Sequence, residues 1–146
     1  SDLRIVSKDE HFRESKKALM RYRALMEKVA RMEERLEQID RDLMSIKSPA
    51  LSSEPKASVR ITLEDKLIRK DELESKINST LKFARQNRAD IMRCIDALEN
   101  QKSALVLERY FIDNVTLETI ADEMNYSYEY VKQLYVAGVK SAVINW

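Results

Sequence analysis

Glycine occurs once in the 146 residues, at Gly138, and proline twice, at Pro49 and Pro55. Turn-rich β-sandwiches and barrels need many of both, and loops that cradle nucleotide phosphates need several glycines, so these classes are excluded. There is one histidine, His11, and one cysteine, Cys94. They lie far apart in the chain, so a Cys–His nucleophile pair is disfavoured, and no Cys/His set is present to hold zinc. A lone cysteine forms no internal disulfide, which fits a reducing cytoplasm. Cys94 falls beside an apolar seam and reads as core filler. No apolar run approaches the roughly 18 residues of a membrane span. Ser1-Asp2-Leu3-Arg4 lacks the charged-then-apolar layout of a signal peptide. The expectation is a cytoplasmic protein, not an enzyme, with no cofactor, no metal and no membrane partner.

Charge is what the chain has in abundance. Charged residues make up 35% and aromatics only 7%, with a net charge of +1. Together with the shortage of Gly and Pro, this profile points to long helices. Apolar or small residues recur at Ala18, Tyr22, Leu25, Val29, Met32, Leu36, Ile39, Leu43 and Ile46, in alternating steps of 4 and 3. That is a heptad seam. Ser7-Lys8-Asp9-Glu10 reads as a capping box at its start, and Ser48-Pro49 as its stop, because the residue before proline avoids helical dihedrals. A helix from about 10 to 47 would be about 55 Å long. A second helix is expected from Thr62, with Asp65 as a weaker capping partner. Its seam runs Ile77, Leu81, Ala84, Arg88, Ile91, Ile95 and Leu98, with Arg88 as the charged intruder, its stem along the seam and its guanidinium in solvent. Paired acids such as Glu33-Glu34 are adjacent and splay to different helix faces.

The fold class expected is all-α: a long antiparallel coiled-coil hairpin followed by a C-terminal helix-turn-helix. Residues 1–9 are expected as a flexible N-terminus, 10–99 as the two-helix hairpin with a loop at 48–61, and 100–146 as the helix-turn-helix domain. Pairing of each seam with another chain is the alternative, and a homodimer built on the hairpin stays open. Residues 13–31 carry seven bases against two acids, and residues 82–93 four against one. A hairpin turning near residue 54 sets position 22 opposite position 86, so the basic stretches coincide beside the C-terminal domain. The loop-side end is acidic. The plainer explanation is a solvated charged face with intrahelical pairs.

The C-terminal third breaks the heptad pattern. Leu105, Leu107, Tyr110 and Phe111 lie on a short helix ending near Asn114. Thr116 caps a brief helix, Leu117 to Met124, and a last helix starts after Ser127. A helix-turn-helix needs a small residue where its helices touch, here Ala121. It needs a residue tolerant of left-handed dihedrals four later, here Asn125. A branched apolar residue ten after the alanine, here Val131, fills the angle, and Ile120, Met124, Tyr126 and Leu134 complete the core.

The stretch Arg109-Tyr110-Phe111-Ile112-Asp113-Asn114-Val115-Thr116-Leu117-Glu118-Thr119-Ile120-Ala121 resembles the fourth conserved region of bacterial sigma factors, which reads promoter DNA. Leu51-Ser52-Ser53-Glu54-Pro55-Lys56, Ile120-Ala121-Asp122-Glu123-Met124-Asn125-Tyr126-Ser127 and the two-helix layout before them resemble small phage and prophage proteins of streptococci and their relatives, akin to ArpU/RinA-type transcriptional regulators. That resemblance covers nearly the whole chain after residue 10. It implies a regulator of phage or mobile-element genes that binds double-stranded DNA. Activation would need contact with RNA polymerase, for which the acidic loop end of the hairpin is a candidate surface.

In a docked motif the start of the second helix faces base edges. Here that surface is Ser127, Tyr128, Glu129, Lys132, Gln133 and Val136. Glu129 suits a cytosine amino group and Gln133 an adenine; the sigma pattern likewise has Glu and Gln at these two places. Phosphate contacts are assigned to Lys17, Arg21, Arg23, Arg85, Arg88 and Lys140. Glu129 is equally explained by the dipole of a helix first turn, and Tyr128, Tyr130 and Tyr135 by packing. Residues 101–146 hold four bases and six acids, a net of −2. DNA affinity is largely phosphate electrostatics, so that acidity favours a rival: a protein-interaction module mimicking a sigma region to bind RNA polymerase or a host protein. Gly138, inside the last helix, is expected to loosen it by about 1 kcal/mol.

Overall fold

A computed structural model describes residues 8–46 and 57–146. The described residues are all helical or connecting, with no strand among them. The elements are α1 (Lys8–Leu19), α2 (Arg21–Ile46), α3 (Ala57–Asp96), α4 (Gln101–Leu107), which runs into a π-helical turn (Glu108–Ile112), α5 (Leu117–Met124) and α6 (Tyr128–Ser141). Ser7, and with it the expected capping box, lies outside the described residues, as does the Ser48-Pro49 stop. Lys8 and Asp9, expected in a flexible terminus, are helical. Asp9 and Glu10 sit in the first turn of α1, where the helix dipole favours acids. The helix expected from Thr62 begins at Ala57, so the loop expected at 48–61 is helical from that residue on. Pro55 is the last residue of the stretch without a backbone N–H, and the Ala-Ser-Val-Arg run after it carries no such constraint.

The chain divides into two compact units. One joins the residues up to Ala24 with Ala84–Trp146; the other is Leu25–Phe83. The division therefore does not fall at the expected boundary between residues 99 and 100. Leu19, Ile91, Ile95 and Leu98 are buried in one cluster with Phe111, Ile120, Val131 and Val139. The apolar residues at that end of the seams meet a wider apolar surface on the C-terminal helices than a two-helix seam supplies. Each fully buried Leu or Ile contributes about 1.5–3 kcal/mol.

In the unit Leu25–Phe83 the expected seams pack on each other within this chain. Val29, Met32 and Ile77 are buried together, with Leu36, Leu73 and Leu81 packed against them. Farther along, Lys70 Nζ lies 2.8 Å from Asp40 and Lys66 Nζ 3.2 Å from Asp42. Partners in α3 fall in number as those in α2 rise, so the two helices run antiparallel. Arg88, the expected intruder, is exposed. Asn87, 5% exposed, takes the buried position between Ala84 and Ile91 instead.

Candidate nucleic-acid interface

The C-terminal motif is assembled by local capping. Asn100 precedes α4, and its side-chain oxygen accepts from the N–H groups of Lys102 (3.0 Å) and Ser103 (3.2 Å). Past α4 the backbone widens. The Asp113 N–H reaches back to the Glu108 carbonyl (3.1 Å) and that of Val115 to the Arg109 carbonyl (3.0 Å), while Asn114 takes a left-handed φ of 59°. This re-aims the chain into α5, where Thr116 Oγ1 accepts from the Thr119 N–H at 3.2 Å.

α5 ends as the spacing requires. Asn125 has φ 57° and ψ 41°. Its N–H donates to the Asp122 carbonyl (3.3 Å), and the Tyr126 N–H donates to the Ala121 carbonyl (3.0 Å). This paired pattern is the Schellman closure, and asparagine tolerates the left-handed dihedrals it demands. Ser127 then caps α6, its hydroxyl accepting from the Tyr130 N–H at 3.2 Å. Ala121 is buried at the crossing and Val131 is 0% exposed in the angle between α5 and α6.

α4 locks the back of α6. Ser103 donates its hydroxyl proton to the Leu134 carbonyl (2.9 Å, buried). Gly138 faces the same helix, where an added Cβ would stand 2.7 Å from Leu107 Cδ1 and 3.3 Å from Ser103 Cβ. The glycine expected to loosen the helix is thus what lets α4 approach it. Arg109 ties the π-helical turn to α5, with Nη2 2.5 and 2.7 Å from the Glu123 carboxylate and Nη1 3.1 Å from Asp113. Glu123 first and Asp113 second hold the guanidinium pKa above its ordinary value. Lys102 Nζ lies 5.4 Å from the centre of the Tyr126 ring, and Tyr126 meets Tyr130 edge-on at 4.9 Å. The Tyr126 hydroxyl is the main reason the Lys102 pKa is raised.

On α6, Glu129, Lys132, Gln133 and Lys140 are exposed, Tyr128 is 38% exposed, and Val136 is half-buried. Ser127 is exposed with its hydroxyl committed to the cap. Glu129, Lys132, Gln133, Val136, Ala137 and Lys140 line an open groove of about 450 Å³ on the outer side of α6. No described element of this unit covers that side. Ala137 was not among the expected contacts; its small side chain one residue past Val136 is the only sequence signal for it. Tyr130 is half-buried and Tyr135 buried, so both pack. Burial pushes the Tyr135 hydroxyl pKa up.

Of the residues assigned to phosphate, Lys17, Arg21, Arg85 and Arg88 are exposed and belong to the same compact unit as α6. Arg23 is half-buried, with its guanidinium carbon 5.0 Å over the Tyr110 ring. The helix expected from about residue 10 covers α1, but its docking on α6 was not expected. Phe12 meets Tyr135 edge-on at 6.3 Å, and Ser15, Ala18 and Leu19 are buried. Phe12, Ser15 and Leu19 form a stripe offset from the heptad seam, a signal in the spacing that the seam masks. Cys94 is buried, and burial raises its thiol pKa, which suits packing rather than reactivity.

A helix-turn-helix with an uncovered second helix is a DNA-binding, regulator-like module by its class. Residues 95–141, from the end of α3 through α6, match the family described as Sigma-70, region 4. No curated protein and no solved structure matches the chain. The region-4 fold is a DNA-binding regulatory domain, not a catalytic one. Among the described residues no helix is long and apolar enough to cross a membrane.

Proposed function

We propose that this protein is a sequence-specific DNA-binding transcriptional regulator of phage or mobile-element genes, acting in the cytoplasm. The observation that carries the reading is the uncovered outer side of α6 within a region-4-like fold. Ser127, Tyr128, Glu129, Lys132, Gln133 and Val136 face the major groove. The Gln133 amide pairs with adenine and the Glu129 carboxylate accepts from a cytosine amino group. Lys17, Arg21, Arg85, Arg88 and Lys140 supply phosphate contacts, and Arg23 is released from that role by its stacking on Tyr110. The resemblance to ArpU/RinA-type regulators supports the phage assignment, with RNA polymerase as the partner of an activator and the α2–α3 hairpin as a coiled-coil route to a homodimer.

Retardation of DNA from upstream of the protein's own gene, across a salt series, tests this. Specific retardation with a steep salt slope is expected. The net charge of −2 in residues 101–146 favours the rival in which the motif occupies RNA polymerase or a host protein. Recovery of such a protein with no DNA retained at any salt concentration would decide for it.

A further inference from the structure

α1 packs on α6 through one side only. Phe12 lies edge-on to Tyr135, and Ser15 and Leu19 are buried on the same stripe. On the rest of α1, Arg13 and Lys17 are exposed and Lys16 is half-buried. Where α1 meets the end of α6 there is a pocket of about 600 Å³, floored by the buried Ala18 and Ala142 and walled by Lys17, Arg21 and Lys140. His11 also lines it, and Glu14 is its one carboxylate. None of the three cations makes an ion pair among the described residues. Three unpaired cations converging on one depression repel one another, and an anion seated among them relieves that repulsion. Lys140 lines both this pocket and the groove on the outer side of α6, so the two adjoin at that residue.

We infer that α1 is a second DNA-contacting element. Together with the end of α6 it builds a pocket that seats a backbone phosphate of duplex DNA, so duplex binding and the docking of α1 are linked. The inference rests on the DNA-binding reading above and adds to it that Lys17, Arg21 and Lys140 act as one pocket, whose occupation holds α1 docked. A free phosphorylated small molecule shares the chemistry and fits the volume. The shared Lys140 favours the duplex, because a duplex lying on α6 carries its backbone across that residue. Linkage is reciprocal: whatever binds only the docked arrangement must also hold α1 down.

The test uses the whole chain, a mixed-sequence duplex and a salt series. Lys17→Gln/Arg21→Gln changes two exposed side chains and leaves the core intact. It is expected to lower the slope of log affinity against log salt by about 1–2, since each phosphate contact contributes about 0.9. Amide exchange in α1 is expected to slow when the duplex is added to the wild type and to stay unchanged in the double variant. Phe12→Ala, which alters no charge, is expected to weaken duplex binding in the wild type and to add little in the double variant. Wild type that binds, a Lys132→Ala variant that binds less, and a Lys17→Gln/Arg21→Gln variant with an unchanged slope would overturn this inference and the Lys17 and Arg21 phosphate contacts, and leave base reading by α6 standing. Wild type that retains no duplex would overturn the DNA-binding reading and this inference with it. Slowed α1 exchange with inorganic phosphate but not with duplex would assign the pocket to a free ligand and overturn the DNA assignment.

Discussion

Two residues of the motif carry opposite backbone demands. Asn125 sits at φ 57°, a region that costs most L-residues about 1–2 kcal/mol. Asn125→Ala is expected to lower stability by about 1 kcal/mol, and Asn125→Gly to change it by only a few tenths. Urea midpoints for the pair check this. Gly138 has helical dihedrals, so its reason is space. An exposed helical glycine replaced by alanine gains about 1 kcal/mol. Here the new methyl meets Leu107, itself 0% exposed, at 2.7 Å. Overpacking costs about 1–3 kcal/mol, so Gly138→Ala is expected to leave the protein no more stable than wild type, and Gly138→Val to destabilise it clearly. Thermal melts of both variants give the sign.

Among the elements, the helix pair of Leu25–Phe83 is joined by charges as well as by its seam. Donation from the Gln38 amide first, and from Lys66 second, holds the Asp42 carboxyl pKa below its ordinary value. A group with a depressed folded pKa stabilises fully above its unfolded pKa and loses that contribution as pH falls through the folded value. Lys70 is the opposite case. Asp40 raises its pKa, so its contribution is present below the unfolded value and is lost as pH rises through the folded one. This unit is therefore expected to weaken below pH about 4 and above pH about 10.4. In thermal melts across pH, Asp42→Asn should start lower at neutral pH and lose less on acidification than wild type. An identical acid limb in both would remove Asp42 from the account of acid sensitivity.

The elements also show what a sequence reveals and what it conceals. The all-helical class and both seams were legible, because the period of apolar residues is a local signal. So were Ala121, Asn125, Ser127 and Val131, because a helix-turn-helix constrains dihedrals and size at fixed spacings. The docking of α1 was not legible: Phe12, Ser15 and Leu19 form a stripe whose partner lies more than a hundred residues away in Tyr135. Arg23 looked like any basic side chain until Tyr110 stood beneath it. Asn87, not Arg88, entered the buried row, because the helix phase there follows the wider cluster rather than a strict heptad.

For the whole molecule, a net charge of only +1 means that any DNA affinity depends on where charge is placed. Within residues 101–146 two of the six acids, Glu123 and Asp113, are engaged by Arg109. In the same compact unit Lys17 of α1 and Lys140 of α6 line one pocket. The groove on α6 is lined by one acid, two lysines, an amide and apolar Val136 and Ala137. Such a surface suits discrimination between base edges more than bulk attraction. Selection from a random-sequence duplex pool by the whole chain, with Gln133→Ala run alongside, tests this most directly. Wild type is expected to enrich one sequence element, and Gln133→Ala to bind it about 1–3 kcal/mol more weakly with relaxed preference at one base pair. A pool left unenriched by wild type, or enriched identically by the variant, would contradict base reading by the outer side of α6.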